Sequence, residues 1–251
     1  MIRRWLRRSA VCALMATIMA TVMAAPVAKY MLHTAVAGDP DGKVLYTIDF
    51  SSQPDGSAVP WLEQNGYIIA LDAAELNPRF DNGQLVLSTD DKIAGIIGKW
   101  LTDSDQLRDV ERVRFEWSVS RFPEGANWEA DNNRVALAAM VFFGTEKLSS
   151  GLPFGVNAAP YFLSPFIARV EPAGKTYLGT LYQKGGRYIS VPAQDTSGGI
   201  FSTDFEVRQR FKQVFGKAEV PAISGIAFQM NTKDTSGGAV AAIRRITFLG
   251  H

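Results

Sequence analysis

Apolar and polar side chains alternate along most of residues 44–250, and this pattern limits the fold more than any other feature of the sequence. The clearest stretch runs from Glu111 to Ser120. Its alternate apolar positions are Val113, Phe115, Trp117 and Val119. Because successive side chains of a strand point to opposite faces, the alternation predicts a strand with one buried and one solvated face.

Similar patterns, separated by turn-forming residues, predict about ten strands in all. Besides 111–120, they lie at 44–50, 84–88, 92–100, 134–143, 166–171, 175–182, 187–191, 222–230 and 239–249. The stretch Arg134–Phe143 is apolar after its first residue, which indicates a central strand covered on both faces. We therefore expect an all-β domain over 44–250, built as a two-sheet antiparallel sandwich of jelly-roll type.

One short α-helix is predicted near 203–216. Thr203 and Glu206 have the spacing of a capping box, in which each side chain bonds a free amide of the first turn. The apolar residues that follow have helical spacing: Val207, Phe211, Val214 and Phe215. Gly216 is a typical residue for ending the helix.

Residues 1–37 have the pattern of an export signal. Four arginines among the first eight residues precede an uncharged, largely apolar stretch from Ser9 to Ala28. Its length would also span a bilayer, so the segment is either a cleaved signal peptide or a retained membrane anchor. A small-x-small cleavage pattern stands at Ala35–Ala37, and residues 38–43 read as a linker. The domain is then periplasmic or secreted, or anchored in the inner membrane if the segment is retained.

The scarcity of cysteine and histidine limits the chemistry. The sequence contains Cys12, His33 and His251 and no other residue of either type. Without residues 1–37 only the terminal His251 remains, which excludes a cysteine nucleophile, a Cys/His zinc site and a histidine-ligated iron or copper site. The remaining 21 basic and 25 acidic residues give a net charge of about −4, which argues against nucleic acid as a partner.

The segment 121–133 is the first candidate for a ligand site. Trp128 stands among polar residues, of which Asn127, Glu129 and Asp131 are the nearest candidates. An aromatic ring surrounded by amides and carboxylates can bind a sugar by stacking and hydrogen bonding. The same oxygens could hold calcium, although their spacing matches no calcium loop. The alternative is a polar connection in which Trp128 packs back onto the sandwich.

A second candidate is the segment 144–165, which is rich in Gly, Pro, Ser and Asn and predicts a long connection. It carries Tyr161, and Tyr182 ends a later predicted strand. A concave face that exposes Trp128, Tyr161 or Tyr182 beside polar groups would favour a glycan binder. No cofactor is expected apart from the calcium considered above.

Carboxylate pairs would indicate a hydrolase or lyase instead. Glu116, Glu129 and Asp131 are the candidates, and their separation would decide the question. In the last strand, Arg244 and Arg245 follow one another, so one of them points to the covered face or lies near an edge. We expect one of these arginines to pair with Asp49 in the first strand.

The pentapeptide Asp-Thr-Ser-Gly-Gly occurs at Asp195–Gly199 and again at Asp234–Gly238. Aspartate, serine and paired glycines are typical of turns, because they bond their own backbone or adopt positive φ. The second copy is predicted to be the hairpin loop between the last two strands. A nucleophile loop would need a histidine base, which the domain lacks before its terminal residue.

Five stretches carry a resemblance to a known family: Phe115–Val119, Pro123–Ala126, Asp131–Phe143, Gly225–Thr235 and Ala241–Phe248. Through them the chain resembles a bacterial family of exported domains of unknown function. The resemblance implies a galactose-binding-like or lectin-like β-sandwich and assigns no catalytic residue. The leading hypothesis is a non-catalytic module that binds a glycan or another cell-envelope component. A carboxylate-based polysaccharide hydrolase or lyase, and a structural envelope protein that binds other proteins, remain alternatives.

Overall fold

The structure is a computed structural model, and it describes residues 42–101, 107–150, 158–194 and 198–251. The predicted leader 1–37 and most of the predicted linker 38–43 lie outside these residues. Within the described ranges, no helix has both the length and the apolar character needed to cross a membrane.

Fourteen strands and two α-helices make up the described chain, and the two-sheet β-sandwich predicted from the sequence is confirmed. The strands are β1 (Val44–Asp49), β2 (Gly56–Ser57), β3 (Ile68–Leu71), β4 (Arg79–Asp81), β5 (Gln84–Thr89), β6 (Ala94–Trp100), β7 (Arg112–Arg121), β8 (Val135–Leu148), β9 (Ala159–Ala168), β10 (Thr176–Leu178), β11 (Gly186–Pro192), β12 (Phe201–Phe205), β13 (Ile223–Asn231) and β14 (Ala239–Leu249). The helices are α1 (Val59–Gln64) and α2 (Val207–Phe215).

Each sheet contains seven strands. Sheet 1 has the spatial order β12-β7-β14-β5-β4-β2, and β1 pairs with the second half of β14. Sheet 2 has the order β10-β11-β9-β8-β13-β6-β3, which places β8 at its centre as predicted for the apolar stretch 134–143. The prediction of antiparallel sheets needs one correction: the neighbouring strands β9 and β11 are parallel. The chain leaves β9 through the outermost strand β10 and returns between them, so β11 runs in the direction of β9.

The core between the sheets contains the residues whose alternation predicted it. Val113, Phe115, Trp117 and Val119 are each at most 1% exposed. The rings of Phe115 and Trp117 are stacked with centroids 4.8 Å apart. Apolar side chains from the inner face of sheet 2 join them in one cluster, and their burial is the main favourable term for a sandwich.

The predicted helix is present as α2, but its predicted start is wrong. Thr203 lies in β12, and its hydroxyl accepts a hydrogen bond from the indole Nε1 of Trp117 at 3.0 Å. Glu206 occupies the N-cap position without a capping hydrogen bond from its side chain. The capping-box spacing was misleading because Thr203 satisfies a buried donor of the core instead. Gly216 ends the helix with φ +63°, as predicted.

The turn at Asp234–Gly238 is not a hairpin loop. It connects β13 of sheet 2 with β14 of sheet 1, so it crosses between the sheets. Positive φ angles at Asp234, Gly237 and Gly238 confirm its turn chemistry. The segment that carries Trp128 crosses in the same way from β7 to β8, and Glu124 and Ser236 join the two crossings through backbone hydrogen bonds. Residues 195–197 of the other pentapeptide lie outside the described chain.

The predicted long connection at 144–165 is also corrected. β8 continues to Leu148 and β9 begins at Ala159, so Tyr161 is a strand residue. Residues 151–157 lie outside the described chain. The ends of both strands were missed because glycine, proline and serine are typical of turns. In the fold, pairing with the neighbouring strands of sheet 2 overrides this local preference.

Candidate functional site

The outer face of sheet 2, which points away from sheet 1, is apolar where a two-layer sandwich usually presents polar side chains to solvent. Alternation along the strands places a second apolar cluster there, separate from the core between the sheets. Its strand residues include Ile96, Met140, Phe142, Phe162 and Tyr188. The buried members of this cluster are at most 9% exposed, because side chains such as those of Trp128 and Trp100 pack over them.

One row of this face, the aromatic row, crosses five hydrogen-bonded strands. In register it reads Trp100, Gly225, Phe142, Phe162 and Gly186. Trp100 and Phe142 have ring centroids 5.4 Å apart, and Phe142 and Phe162 have centroids 5.6 Å apart. Gly225 makes this possible, because a Cβ there would stand 2.7 Å from the Trp100 ring. The indole therefore lies across the glycine of the neighbouring strand, and Trp100 stays partly exposed to solvent.

The next row along the strands, the small-residue row, is a depression. In register it reads Ile68, Gly98, Ala227 and Met140. A cavity of about 50 Å³ lies above Gly98 and Ala227, beside the aromatic row. Of the described residues that line it, Lys99 alone is charged and none carries a carboxylate.

A third row, the amide row, follows the small-residue row along the strands and carries the side chain of Gln229. In register it reads Ala70, Ile96, Gln229, Ala138 and Phe166. Gln229 follows Ala227 by two residues and therefore projects from the same face about 7 Å further along β13.

The orientation of the Gln229 amide is set by Tyr188. The hydroxyl of Tyr188 donates to Oε1 of Gln229 at 2.8 Å, and burial raises the pKa of Tyr188. The Nε2 group of Gln229 then turns the other way, and it has no hydrogen-bond partner among the described residues.

Trp128 lies on the same outer face but is not an exposed platform. It is 7% exposed, and its ring packs on Phe166, Tyr188 and Tyr177 with centroids 5.2, 4.7 and 5.4 Å away. Its Nε1 donates to the carbonyl of Arg134 at 3.3 Å. Of the two interpretations drawn from the sequence, the structure has the one in which Trp128 packs back onto the sandwich.

The polar neighbours of Trp128 hold the crossing segment together. Asn127 accepts the backbone N–H of Glu129 at 2.9 Å and caps the short 3₁₀ helix Trp128–Ala130. Lys175 lies 2.7 Å from Oε2 of Glu129 and Tyr177 donates to Oε1, and these hydrogen bonds lower the pKa of Glu129. Asp131 ends the turn with φ +57°.

These oxygens do not converge on a cation site. Within the described ranges, no group of three or more His, Cys, Asp or Glu residues is placed to hold a metal ion. The carboxylate of Glu129 is occupied by Lys175 and Tyr177, as described above. The calcium hypothesis therefore finds no support in the described chain.

The structure separates the two predicted tyrosines. Tyr161 points to the inner side of sheet 2, where its ring packs against Phe211 and Phe215 of α2 with centroids 5.5 and 4.7 Å away. Tyr182 lies at the end of the aromatic row, with its ring 5.7 Å from Phe162, and remains half-exposed. Trp128 and Tyr182 therefore share a face with the cavity, whereas Tyr161 does not.

The candidate carboxylates are not gathered in one cleft. Glu116 lies on the outer face of sheet 1, where Arg245 contacts it at 3.2 Å and also contacts Asp49 at 2.9 Å. The predicted pairing of Asp49 with one of the two arginines is thereby confirmed. Glu129 and Asp131 lie in the crossing segment beside sheet 2. Glu116 therefore cannot form a catalytic pair with Glu129 or Asp131, because the two sheets stand between Glu116 and these residues.

Trp100, Gln229 and the glycines beneath the aromatic row were not identified from the sequence. Trp100 ends a predicted strand, Gly225 lies inside another, and Gly186 stands directly before a third. A glycine in a strand often marks a place where another group approaches the backbone closely, so these glycines were the signal of the aromatic row in the sequence. The group could not be named from the sequence, because register decides which ring lies across which glycine.

The sequence matches no family model, and no curated protein matches it significantly. Several solved β-sandwiches are similar to it in structure. The catalytic domain of Humicola grisea Cel12A, in complex with a soaked thio cellotetraose, is 17% identical over 72% of this chain and 83% of its own, with a TM-score of 0.37. The native family 12 xyloglucanase from Bacillus licheniformis is 9% identical over 73% and 87%, with a TM-score of 0.39. The carbohydrate recognition domain of Emp46p, in a potassium-bound form, is 12% identical over 83% and 98%, with a TM-score of 0.36. At this level the similarity concerns the β-sandwich architecture alone.

Proposed function

We propose that this domain is a non-catalytic binding module for a glycan of the cell envelope, and that the glycan lies on the outer face of sheet 2. The aromatic row carries the proposal. The apolar face of a sugar ring packs on aromatic side chains, and Trp100 and Tyr182 present half-exposed rings at the two ends of this row. The rings are held by their neighbours, so little side-chain entropy is lost on binding.

The chemistry around the row supports binding over hydrolysis. A glycosidase of the usual kind needs an acid and a second carboxylate on either side of the scissile bond. The described residues that line the cavity include no carboxylate. Glu116 and Glu129, the candidates from the sequence, are engaged with Arg245 and with Lys175.

Export is part of the proposal. The arginine-rich head and apolar stretch of residues 1–37 support delivery to the periplasm or the exterior, or retention at the inner membrane if the segment is not cleaved. An envelope glycan is the polymer that such a domain would meet there. Localisation of the full chain by cell fractionation, with a cytoplasmic marker as control, tests this part.

The binding part is tested on a glycan array with the purified full-length chain, its Trp100→Ala variant and a Trp61→Phe control. Trp61 packs on Phe50 and Phe80 at the core of the sandwich, away from sheet 2's outer face. We expect Trp100→Ala to lose at least about tenfold in affinity for every bound glycan while Trp61→Phe keeps it. Binding of no glycan, equal binding by Trp100→Ala, or cleavage of the bound glycan would each overturn the proposal. Circular dichroism shows whether the variants are folded.

A further inference from the structure

We infer that the glycan bound on sheet 2 is a linear stretch of about four sugar units that lies across the strands, with one unit on Trp100 and another on Tyr182. This inference rests on the proposed function and specifies the length and the direction of the ligand. It is carried by the spacing of the two partly exposed rings, by the cavity that connects them and by the contacts that hold them in place.

The spacing of the two rings follows from the strands beneath them. The indole of Trp100 lies across Gly225 of β13, as described above. At the other end, the Cβ of Tyr182 lies over Gly186 of β11, where an added Cβ would stand 3.0 Å from it. The strands β8 and β9 lie between β13 and β11. Because neighbouring strands are about 4.8 Å apart, three spacings separate the two rings by about 14 Å.

A single cavity connects the two rings. The described residues that line the cavity above Ala227 include Trp100 and Tyr182 and, between them, Phe142 and Phe162. Phe142 is 6% exposed and Phe162 is 0% exposed, so these two rings form a floor that offers a ligand little area. Trp100 and Tyr182 are partly exposed, and they are therefore the rings on which a sugar can stack.

The separation of about 14 Å sets the number of sugar units. A pyranose ring with its glycosidic oxygen spans a few single bonds along the chain, which gives roughly 5 Å per unit. Three such repeats cover the distance, so the first and the fourth unit of a linear segment can stack at the same time. A monosaccharide or a disaccharide reaches one of the two rings only.

Both rings are held in place by the fold itself. The turn that carries Tyr182 is closed by two backbone hydrogen bonds, in which the N–H of Tyr182 donates to Gly179 at 3.1 Å and its carbonyl accepts from Gly186 at 2.7 Å. The Tyr182 ring packs on Phe162, and the Trp100 ring packs on the other phenylalanine of the row. Because neither ring has to be ordered on binding, the second contact of a longer glycan adds to the first with little loss of entropy.

The test measures affinity against chain length. A glycan array carries each sugar as a ladder of one to six units, and β-1,4-linked glucose and β-1,4-linked N-acetylglucosamine are two of the ladders. We expect the full-length chain to bind four units at least about tenfold more tightly than two, and six units less than about threefold more tightly than four. Equal affinity along every bound ladder overturns this inference and leaves the proposed function standing, whereas binding of no ladder overturns both.

Variants of the two rings locate the length dependence. Trp100→Ala should weaken binding at every length, because the indole is the larger ring and serves short and long glycans alike. Tyr182→Ala should lower the affinity for four units by about tenfold and keep the affinity for one or two units within about threefold. Leu181→Ala is the matched control, since its side chain is 43% exposed in the same turn and is not among the described residues that line the cavity.

Circular dichroism shows whether each variant is folded. If Tyr182→Ala does not fold, Tyr182→Leu replaces it, because leucine keeps an apolar side chain against Phe162 but offers no flat ring to a sugar. A folded variant at this position that keeps the preference of the parent for four units over two would overturn the inference. An equal loss in Leu181→Ala would overturn it as well, since the effect would then belong to the turn and not to the ring.

Discussion

Arg245 on β14 donates from Nε to Oδ2 of Asp49 on the neighbouring strand β1, at 2.9 Å. The same guanidinium donates from Nη1 to Oε1 of Glu116 on β7, at 3.2 Å. The three side chains form a charged row across three strands on the outer face of sheet 1. Among the described strands β1 pairs with β14, so this row helps to fix the first described strand to the sandwich.

The ion pair predicts a pH dependence of stability. Burial raises the pKa of Asp49, but hydrogen bonds from Ser51 and from Arg245 outweigh burial, so the pKa lies below its ordinary value of 3.8. A carboxyl group with a lowered native pKa stabilises the fold above about pH 4, and this contribution is lost as the pH falls through the native pKa.

Asp49→Asn should therefore lower the free energy of unfolding at pH 7 by about 1 kcal/mol and flatten the stability profile below about pH 4. Urea denaturation between pH 2.5 and about 7 measures both effects. Asp109→Asn, at an exposed aspartate without an ion pair to the described residues, is the matched control. An Asp49→Asn variant that keeps the full acid dependence of the parent would contradict the pairing.

The buried hydroxyl of Ser164 predicts a stabilising mutation. Ser164 is 0% exposed, and its Oγ has no hydrogen-bond partner among the described residues. Ser164→Ala should raise the free energy of unfolding by about 1 kcal/mol, because a buried polar group without a partner is removed. Ser190, on the adjacent strand β11, donates to the carbonyl of Pro172 and accepts the N–H of Lys175 at 3.0 Å. Ser190→Ala should therefore destabilise the protein, and equal effects of the two changes would refute this account.

Trp128 is predicted to contribute to stability and not to contact the ligand. Trp128→Ala should cost about 3–5 kcal/mol, as expected for an aromatic side chain lost from a packed cluster. Trp128→Phe keeps an aromatic ring against Phe166 and Tyr188, and it should retain glycan affinity within about threefold. Denaturation and array binding are measured on the same preparations. If Trp128→Phe were as stable as the parent but bound no glycan, Trp128 would belong to the site.

Thr203 is predicted to act in the core rather than at the start of α2. Thr203→Val removes the acceptor of the Trp117 indole N–H, which should cost about 1–3 kcal/mol because a buried donor loses its partner. The helical signal in circular dichroism should not change at temperatures where the variant is folded. Glu206→Ala, at the N-cap, should have a smaller effect, since its side chain makes no capping hydrogen bond. A selective loss of helical signal in Thr203→Val would instead restore the capping box.

The row through Gly225 predicts a steric effect on the proposed platform. Gly225→Ala places a Cβ 2.7 Å from the Trp100 ring, so the indole must move and the variant should lose about 1–3 kcal/mol. Adding Trp100→Ala to Gly225→Ala should relieve the clash, so the two costs should not be additive. A double-mutant cycle on the free energy of unfolding measures the coupling. Additive costs would show that the ring and the glycine do not share this contact.

The strands of the core were predictable because each one shows, in its own sequence, the alternation of apolar and polar residues that burial of one face produces. The alternation within β7 alone was enough to predict which side chains face the core: Val113, Phe115, Trp117 and Val119. The pairing of Asp49 with an arginine of the last strand was predictable because both residues carry a charge within strands that are otherwise largely apolar. Short strands such as β3 and β12 were missed, since a few residues carry too little periodicity to be distinguished from turns.

By itself, the sequence determined that the domain is a two-sheet sandwich, since period-two burial is a property of each strand and needs no partner. It also determined that residues 38–251 contain no cysteine and a single histidine, His251. The tertiary structure alone decided which side chains meet. Register brought Trp100 across Gly225, and the crossing from β7 to β8 buried Trp128 against the outer face of sheet 2. The physical reason is that contacts between strands depend on pairing and on connections between sheets, and these are set by the packing of the whole domain rather than by any single segment.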